Sequence, residues 1–319
     1  MIYSAIAKQI RGRPGKSFAI ILRFVVSPDG DLFRETLIFF RFQRIEAMKI
    51  RISLVHYLNS APLGWAFLHG PFRDKFEVLP SSPAMCADQL ASGEVDIGLI
   101  PSIEYQRIQD LRVIPGISIA SLGEVRSILL IKPKGKQLIR SVALDTSSRT
   151  SVALAMILLR AKMGLRPEYI PYPPDISAML MRSDAAVVIG DPALKIRLED
   201  YDVTDLAGEW VQWQRKPFVC AFWACRSGAL FPADLNAIFQ EAKEWGLKRR
   251  DEIATFYAKS LDLPASFLEN YLIHNIDYDF GSEHRDGLQK FYRFARQEEL
   301  IPGLQELRIY SSRSNSMFQ

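Results

Sequence analysis

Cysteine and histidine are scarce in this sequence, and neither is arranged for metal chemistry. The three cysteines, Cys86, Cys220 and Cys225, form no CxxC pair, and the four histidines, His56, His69, His274 and His284, form no HExxH. No zinc signature or disulfide framework can be drawn from those spacings, so the expectation is no metal, no cofactor and a reducing, cytoplasmic setting. Nor does any apolar run reach the roughly 20 residues that a membrane-spanning helix needs, so no membrane association is expected. A one-sided charge is missing as well. Lys/Arg number 40 and Asp/Glu 36, and the excess of +4 is contained in positions 1–47, with eight basic and four acidic residues. The remainder is neutral, which argues against binding nucleic acid through a generally basic surface.

What is present is enough apolar material for one large or two medium cores: 48% of the 319 residues are hydrophobic,. The first 47 residues stand apart from the rest. Ser17 to Val26 (SFAIILRFVV) has the look of a signal-peptide core, but Arg23 interrupts it and no clean small-residue cleavage site follows,. The reading favoured here is that residues 1–47 form an extension outside the fold and that the protein proper starts at Met48.

From Met48 the pattern alternates strand and helix. Lys49 to Val55 alternates polar and apolar residues, as a half-buried strand does. It stops at Asn59-Ser60, where Ser60 suits a helix N-cap and Pro62 a first turn. Phe76 to Leu79, Val95 to Ile100, Val113 to Ile119 and Ser127 to Lys132 read as further strands. Ser82-Pro83 opens a helix that closes at Gly93, and Pro101-Ser102 opens another,. After Lys132-Pro-Lys-Gly-Lys136, taken as a linker, the order repeats: a strand from Ser141 to Leu144, a polar loop from Asp145 to Ser148, and a mostly apolar helix from Arg149 to Met163. Asp175 to Arg182 reads as a helix between strands at Tyr169 to Tyr172 and Ala185 to Ile189. The chain returns through Phe218 to Arg226 and ends in helices at Pro232 to Lys259, Pro264 to Ile273 and Ser282 to Glu299. This order predicts an α/β protein with largely parallel strands. Two lobes are expected, 48–135 with 219–319 and 136–218, joined by crossings near 132–140 and 215–222 around a ligand cleft.

Six segments carry a resemblance: Tyr57-Leu-Asn-Ser-Ala-Pro-Leu63, Pro101-Ser-Ile-Glu-Tyr105, Gly123-Glu-Val-Arg-Ser127, Asp145 to Leu154 (DTSSRTSVAL), Gly190-Asp-Pro-Ala-Leu194 and Pro217 to Trp223 (PFVCAFW). In that order, from Met48 to about Leu300, the chain resembles the chorismate dehydratases of the futalosine route to menaquinone. The resemblance implies a two-lobed type II periplasmic-binding-protein-like fold with a central cleft. It also implies a hydro-lyase that removes water from chorismate to give 3-[(1-carboxyvinyl)oxy]benzoate. Two alternatives share the fold: a solute-binding protein serving a transporter, and the 1,4-dihydroxy-6-naphthoate synthase reaction. The latter family carries a Ser-Pro-Cys-Pro-Asn-Asp type of motif where this chain has Tyr-Leu-Asn-Ser-Ala-Pro. One departure from the dehydratase pattern is Gln214-Arg-Lys216, where a neutral turn is usual.

A dianionic substrate needs two anion sites, and helix starts at 60, 102 and 149 could supply free N–H groups for them. Substrate-binding candidates are Ser60, Ser102, Ser148, Arg149, Thr150, Ser151 and Asp191; the resemblance singles out Asn59 and Ser127 as catalytic. Arg149 could offer a planar two-donor fork, or could merely brace a strand edge. Asn59 could position the leaving hydroxyl or form a turn; Ser127 could hold a carboxylate or be satisfied by backbone. Glu104, Asp191 and His56 are the only nearby base candidates, and helix capping or strand-end packing explains each equally well. The expectation is therefore that the substrate's own enolpyruvyl carboxylate takes the proton. Trp210, Trp213, Phe222 and Trp223 could wall the diene, but core packing accounts for them better.

Overall fold

A computed structural model describes residues 6–11, 17–26, 32–42, 49–229 and 231–311. Two compact units divide the chain, Met1–Lys49 and Ile50–Gln319. In the first, strands β1 (Ile6–Arg11), β2 (Ser17–Val26) and β3 (Leu32–Phe42) form an antiparallel sheet in that order. The Ser17 to Val26 segment is thus its central strand, with Ile10 opposite Phe18 and Ala19 opposite Phe40.

In the second unit, β4 (Ile50–Val55) begins a five-stranded sheet of order β5-β4-β6-β13-β7. Its other members are β5 (Phe76–Ser81), β6 (Ile97–Pro101), β7 (Leu111–Ser121) and β13 (Phe218–Arg226). A second sheet has the order β10-β9-β11-β8-β12. It contains β8 (Ile128–Pro133), β9 (Ser141–Asp145), β10 (Glu168–Tyr172), β11 (Ala185–Ile189) and β12 (Tyr201–Asp205). Both sheets are mixed, where largely parallel ones were expected. Strands β5, β4 and β6 run parallel, but β13 lies antiparallel between β6 and β7. Likewise β9, β10 and β11 are parallel while β8 and β12 run antiparallel. In the first sheet the antiparallel member is the returning strand β13, which enters from the other lobe.

The first crossing also lies earlier than expected. Strand β8 pairs with β11 and β12, so it belongs to the second sheet, and the chain passes between sheets at 122–127 rather than 132–140. The Pro-Lys-Gly-Lys segment that reads as a linker is a turn, in which the Lys136 N–H donates to the Pro133 carbonyl at 3.1 Å. The second crossing, at 215–217, follows α6 (Leu206–Gln214).

Period-two alternation splits the burial of the second sheet. Leu129 and Ile131 of β8, with Ala186 and Val188 of β11, pack in a small outer core with Met179; Ile128, Leu130 and Val187 join the main core,. The main core also takes Trp210, Phe222 and Trp223, all fully buried. Trp210 packs edge-on against Trp213, Phe218, Phe291 and Phe294, so these aromatic residues are core,.

Helices α1 (Ala61–His69) and α2 (Pro83–Ser92) follow β4 and β5. Helix α3 (Arg149–Ile157) follows β9 and continues as a π-turn, Leu158–Lys162. Helices α4 (Ile176–Arg182) and α5 (Gly190–Leu194) flank β11. The C-terminal part holds α7 (Leu235–Leu247), α8 (Arg250–Leu261), α9 (Ala265–His274) and α10 (Ser282–Gln297). Pro232 to Lys259, expected as one helix, is therefore two. Arg249 leaves the helical region at φ −124°. It stacks on Trp245 at 3.8 Å, and Asp251 and Glu252 open a new first turn, where acidic residues are favoured,. Gly246 has a packing reason: a Cβ there would lie 1.9 Å from the Pro62 carbonyl oxygen of α1. Beyond the last helix the chain is tied back at Ile309, which bridges Val113; residues 312–319 lie outside the described residues.

Candidate active site between the two sheets

The C-terminal ends of β4, β6, β9 and β11 meet at one cavity, the place where α/β sheets offer exposed turns and helix starts to a ligand. It is narrow, with a volume of about 40 Å³. Val55, Ile119, Ile128 and Ile189 form apolar walls; the polar groups are Tyr57, Asn59, Ser127, Ser148, Ser151 and Cys220. None of its lining residues is Asp, Glu, His, Lys or Arg.

Asn59 sits in a 3-10 turn, Leu58–Ser60, between β4 and α1. The turn is tied from several sides. The Leu58 N–H donates to Asp191 Oδ1 at 2.9 Å, Ser60 Oγ donates to the Tyr57 carbonyl at 2.7 Å, and Tyr278 Oη donates to the Asn59 carbonyl at 2.9 Å. The Asn59 side-chain amide has no protein partner among the described residues, so both its ends are available to a ligand.

Ser148 caps α3 at the opposite wall. Its Oγ lies 3.1 Å from Ser151 Oγ and accepts weakly from the Ser151 N–H. The first N–H groups of α3, at Arg149 and Thr150, have no carbonyl behind them, as at any helix start. Two hydroxyls and this positive helix end are groups with the chemistry to hold an anion.

Ser127 lies at the first crossing, buried, with its Oγ 2.8 Å from Tyr271 Oη of α9. Gly190 begins α5 at φ +63°, and a Cβ there would meet the Tyr57 ring at 2.7 Å. A close approach of the two lobes thus needs both glycine's conformational freedom and its lack of a side chain.

Four expected substrate contacts are engaged elsewhere. Arg149 turns out of the cavity: its guanidinium binds Asp88 with two bonds of 2.9 Å and Glu104 with one of 3.0 Å. Thr150 Oγ1 accepts from the Ile103 N–H at 3.2 Å. Ser102 Oγ donates to the Val219 carbonyl at 2.7 Å, and Ser60 Oγ to the Tyr57 and Val55 carbonyls. The reason is common to all four. Hydroxyls and cations that can hold a ligand's oxygen can equally hold a protein oxygen, and the protein oxygen is always there. Arg149 and Thr150, on the second lobe, clasp the first. Arg149→Ala is therefore expected to lower stability by about 1 kcal/mol, the pair being partly exposed, and to change kcat less than two-fold, read from urea midpoints and steady-state rates.

Asp191 is not a lining residue either; it caps the Leu58 turn across the cleft. Burial pushes its carboxyl up to about 6, only partly offset by the Leu58 N–H and the nearby His56 and Lys195. Glu104 is buried between Arg107 and Arg149, at 2.6 and 3.0 Å. His56 is exposed, its Nδ1 2.8 Å from the Ser81 carbonyl. The three base candidates of the sequence are thus all outside the cavity. Burial pushes the Cys220 thiol up to about 12, so it stays neutral,.

Sequence reasoning missed three tyrosines of the C-terminal helices and the segment linking them. Tyr271, Tyr278 and Tyr292 donate to Ser127 Oγ, the Asn59 carbonyl and the Ser102 carbonyl, the last at 2.6 Å. Buried tyrosines need partners for their hydroxyls, but nothing local says which.

Residues 50–297 match the family model described as Menaquinone biosynthesis. The chain belongs to this family. A protein of Thermus thermophilus named chorismate dehydratase is 33% identical over 258 residues, covering 75% of this chain and 93% of that protein. A second chorismate dehydratase, from Campylobacter jejuni, is 26% identical over 248 residues, covering 76% and 96%. Among solved structures, the periplasmic aliphatic sulphonate binding protein of Escherichia coli matches with a TM-score of 0.54 at 18% identity, covering 80% of this chain and 94% of that one. At that identity the likeness speaks for the fold alone: two mixed sheets with helices, of the periplasmic-binding-protein type. No helix among the described residues is long and apolar enough to cross a membrane.

Proposed function

We propose that this chain is a chorismate dehydratase, a hydro-lyase that takes chorismate to 3-[(1-carboxyvinyl)oxy]benzoate. Its relatives in the Menaquinone biosynthesis family carry that name, and the cavity has the chemistry that the reaction asks for. The observation that carries the mechanism is a lining with hydroxyls, one free amide and a helix start, yet without a carboxylate, imidazole or amine.

Elimination removes the hydrogen on the ring carbon bearing the enolpyruvyl ether and the hydroxyl on its neighbour. Aromatisation makes the overall step downhill, so the barrier lies in proton removal and in expelling a poor leaving group. Negative charge spreads from the reacting carbon to the ring carboxylate, and donors fixed around that carboxylate stabilise the transition state. Ser148, Ser151 and the α3 start suit one carboxylate. Asn59 and Ser127 face the reacting edge, where the Asn59 amide both donates to and accepts from the departing hydroxyl. With no side-chain base on the wall, the enolpyruvyl carboxylate takes the proton, held near it by the closed cleft. No cofactor or metal takes part in this scheme. The reading places the reaction in the cytoplasm.

Incubating the full chain with chorismate and following loss of one water, together with the rise of aromatic absorbance, tests the proposal. Turnover without added metal or cofactor is expected. Tight binding with no turnover would move the chain to the solute-binding class and overturn the enzymatic reading.

A further inference from the structure

We infer that Tyr271 is a positioning residue that makes Ser127 a one-way hydrogen-bond donor to the substrate. The inference rests on the proposed contact between Ser127 and chorismate, and it goes further by fixing the direction of that contact.

Proton accounting supplies the argument. Tyr271 lies on α9, 2% exposed, and the only hydrogen bond of its hydroxyl among the described residues is to Ser127 Oγ, at 2.8 Å. A buried phenol whose sole neighbour is one hydroxyl oxygen must donate to it, because reversing the bond would leave the phenol proton unpartnered. Burial also drives the phenol's titration far above its ordinary range, so it remains a protonated donor at any working pH,. Ser127 has one proton of its own. With its oxygen already accepting from Tyr271, that proton is free for the cavity that Ser127 lines. A lone serine would rotate among donor and acceptor roles; this one is held as a donor aimed at substrate oxygen. Donation from Tyr271 also polarises the Ser127 O–H, so the second bond is stronger than an isolated serine could make.

The geometry holding Tyr271 in register is separate from the bond itself. Helix α9 is pinned to the first crossing by Asn275 Nδ2, which donates to the Glu124 carbonyl at 3.0 Å, and by Phe267 beneath the Arg126 guanidinium. A purely structural role for Tyr271 would be shared with those contacts. A positioning role would not.

A double-mutant cycle on kcat/KM for chorismate separates the two, using wild type, Tyr271→Phe, Ser127→Ala and the double variant, with urea midpoints for each. Tyr271→Phe keeps the ring and its packing and is expected to lower kcat/KM by roughly 2- to 12-fold, the range for losing one hydrogen bond. Ser127→Ala should cost more, and adding Tyr271→Phe to it should cost nothing further. Asn275→Ala, which loosens α9 without touching Ser127, should leave kcat/KM within two-fold. Equal losses from Tyr271→Phe in the presence and absence of the Ser127 hydroxyl would overturn the inference while leaving Ser127 as a substrate contact. Wild-type activity in Ser127→Ala would instead overturn that contact, and the inference with it. If wild type does not turn chorismate over, the same cycle is read from chorismate affinity by calorimetry, and absence of binding overturns both.

Discussion

Asn59→Ala is expected to lower kcat/KM for chorismate by roughly 10²- to 10³-fold, the cost of removing one preorganised polar group from a developing charge. The effect should fall on chemistry and not on folding. The turn that carries Asn59 is held through other atoms: the Leu58 N–H on Asp191, the Ser60 hydroxyl on the Tyr57 carbonyl, and the Asn59 carbonyl under Tyr278 Oη. None of these uses the Asn59 side chain, which is half-buried and partnered by no protein group among the described residues. Its loss should change the unfolding free energy, read from urea titrations, by less than about 0.5 kcal/mol. Asn59→Asp sharpens the comparison. A carboxylate is nearly the same shape but only accepts hydrogen bonds, and it repels a dianion, so it should be worse than alanine in both affinity and rate. Near-normal turnover in Asn59→Ala would remove the residue from the mechanism.

Asp191→Asn should stabilise the protein at pH 8 by about 2 kcal/mol and much less at pH 4.5. The sign follows from linkage. The folded carboxyl titrates at about 6, against about 3.9 for an unfolded aspartate. The folded state therefore holds the proton more tightly, and stability from this group is full below the unfolded value and lost as pH rises through the folded one. Two units correspond to almost 3 kcal/mol, reduced here because the residue is only half-buried. Asparagine keeps a carbonyl oxygen for the Leu58 N–H but never ionises. The other titratable groups around it, His56, Lys195 and the phenols of Tyr257 and Tyr271, remain in place in the variant. Urea titrations of both proteins between pH 4 and 8 would show the two stability curves separating from about pH 4 and running parallel again once pH has passed the folded value of about 6,. Parallel curves throughout would mean that Asp191 titrates as an ordinary surface carboxylate.

Much of this site was legible because its carriers are local. A strand that ends at Asn-Ser before a proline, or a Ser-Arg-Thr-Ser stretch before an apolar run, announces a helix start in a few letters. The same letters misled at Arg149. A basic residue in a first turn suits any carboxylate, and its partners Asp88 and Glu104 lie 61 and 45 residues away, beyond any local pattern. The Lys132 to Lys136 segment has the composition of a linker and the geometry of a turn, which displaced the expected crossing and the boundary of the second lobe. Strand β12 and helix α6 went unseen because Tyr201-Asp-Val-Thr-Asp205 is an edge strand, half-buried throughout, and offers little apolar contrast to detect,.

The three tyrosine struts carry a consequence for biosynthesis. Asn59, Ser102 and Ser127 are translated early, but the hydroxyls that fix them arrive only with Tyr271, Tyr278 and Tyr292. A polypeptide still emerging from the ribosome, at a pace of roughly 5–20 residues per second, can build both sheets' parallel strands before it owns a finished pocket. Catalytic competence is thus a late event, arriving with the last helices, and a premature stop between Arg226 and Tyr271 leaves every proposed reacting residue in the chain but none of the three tyrosine hydroxyls that reach Asn59, Ser102 and Ser127.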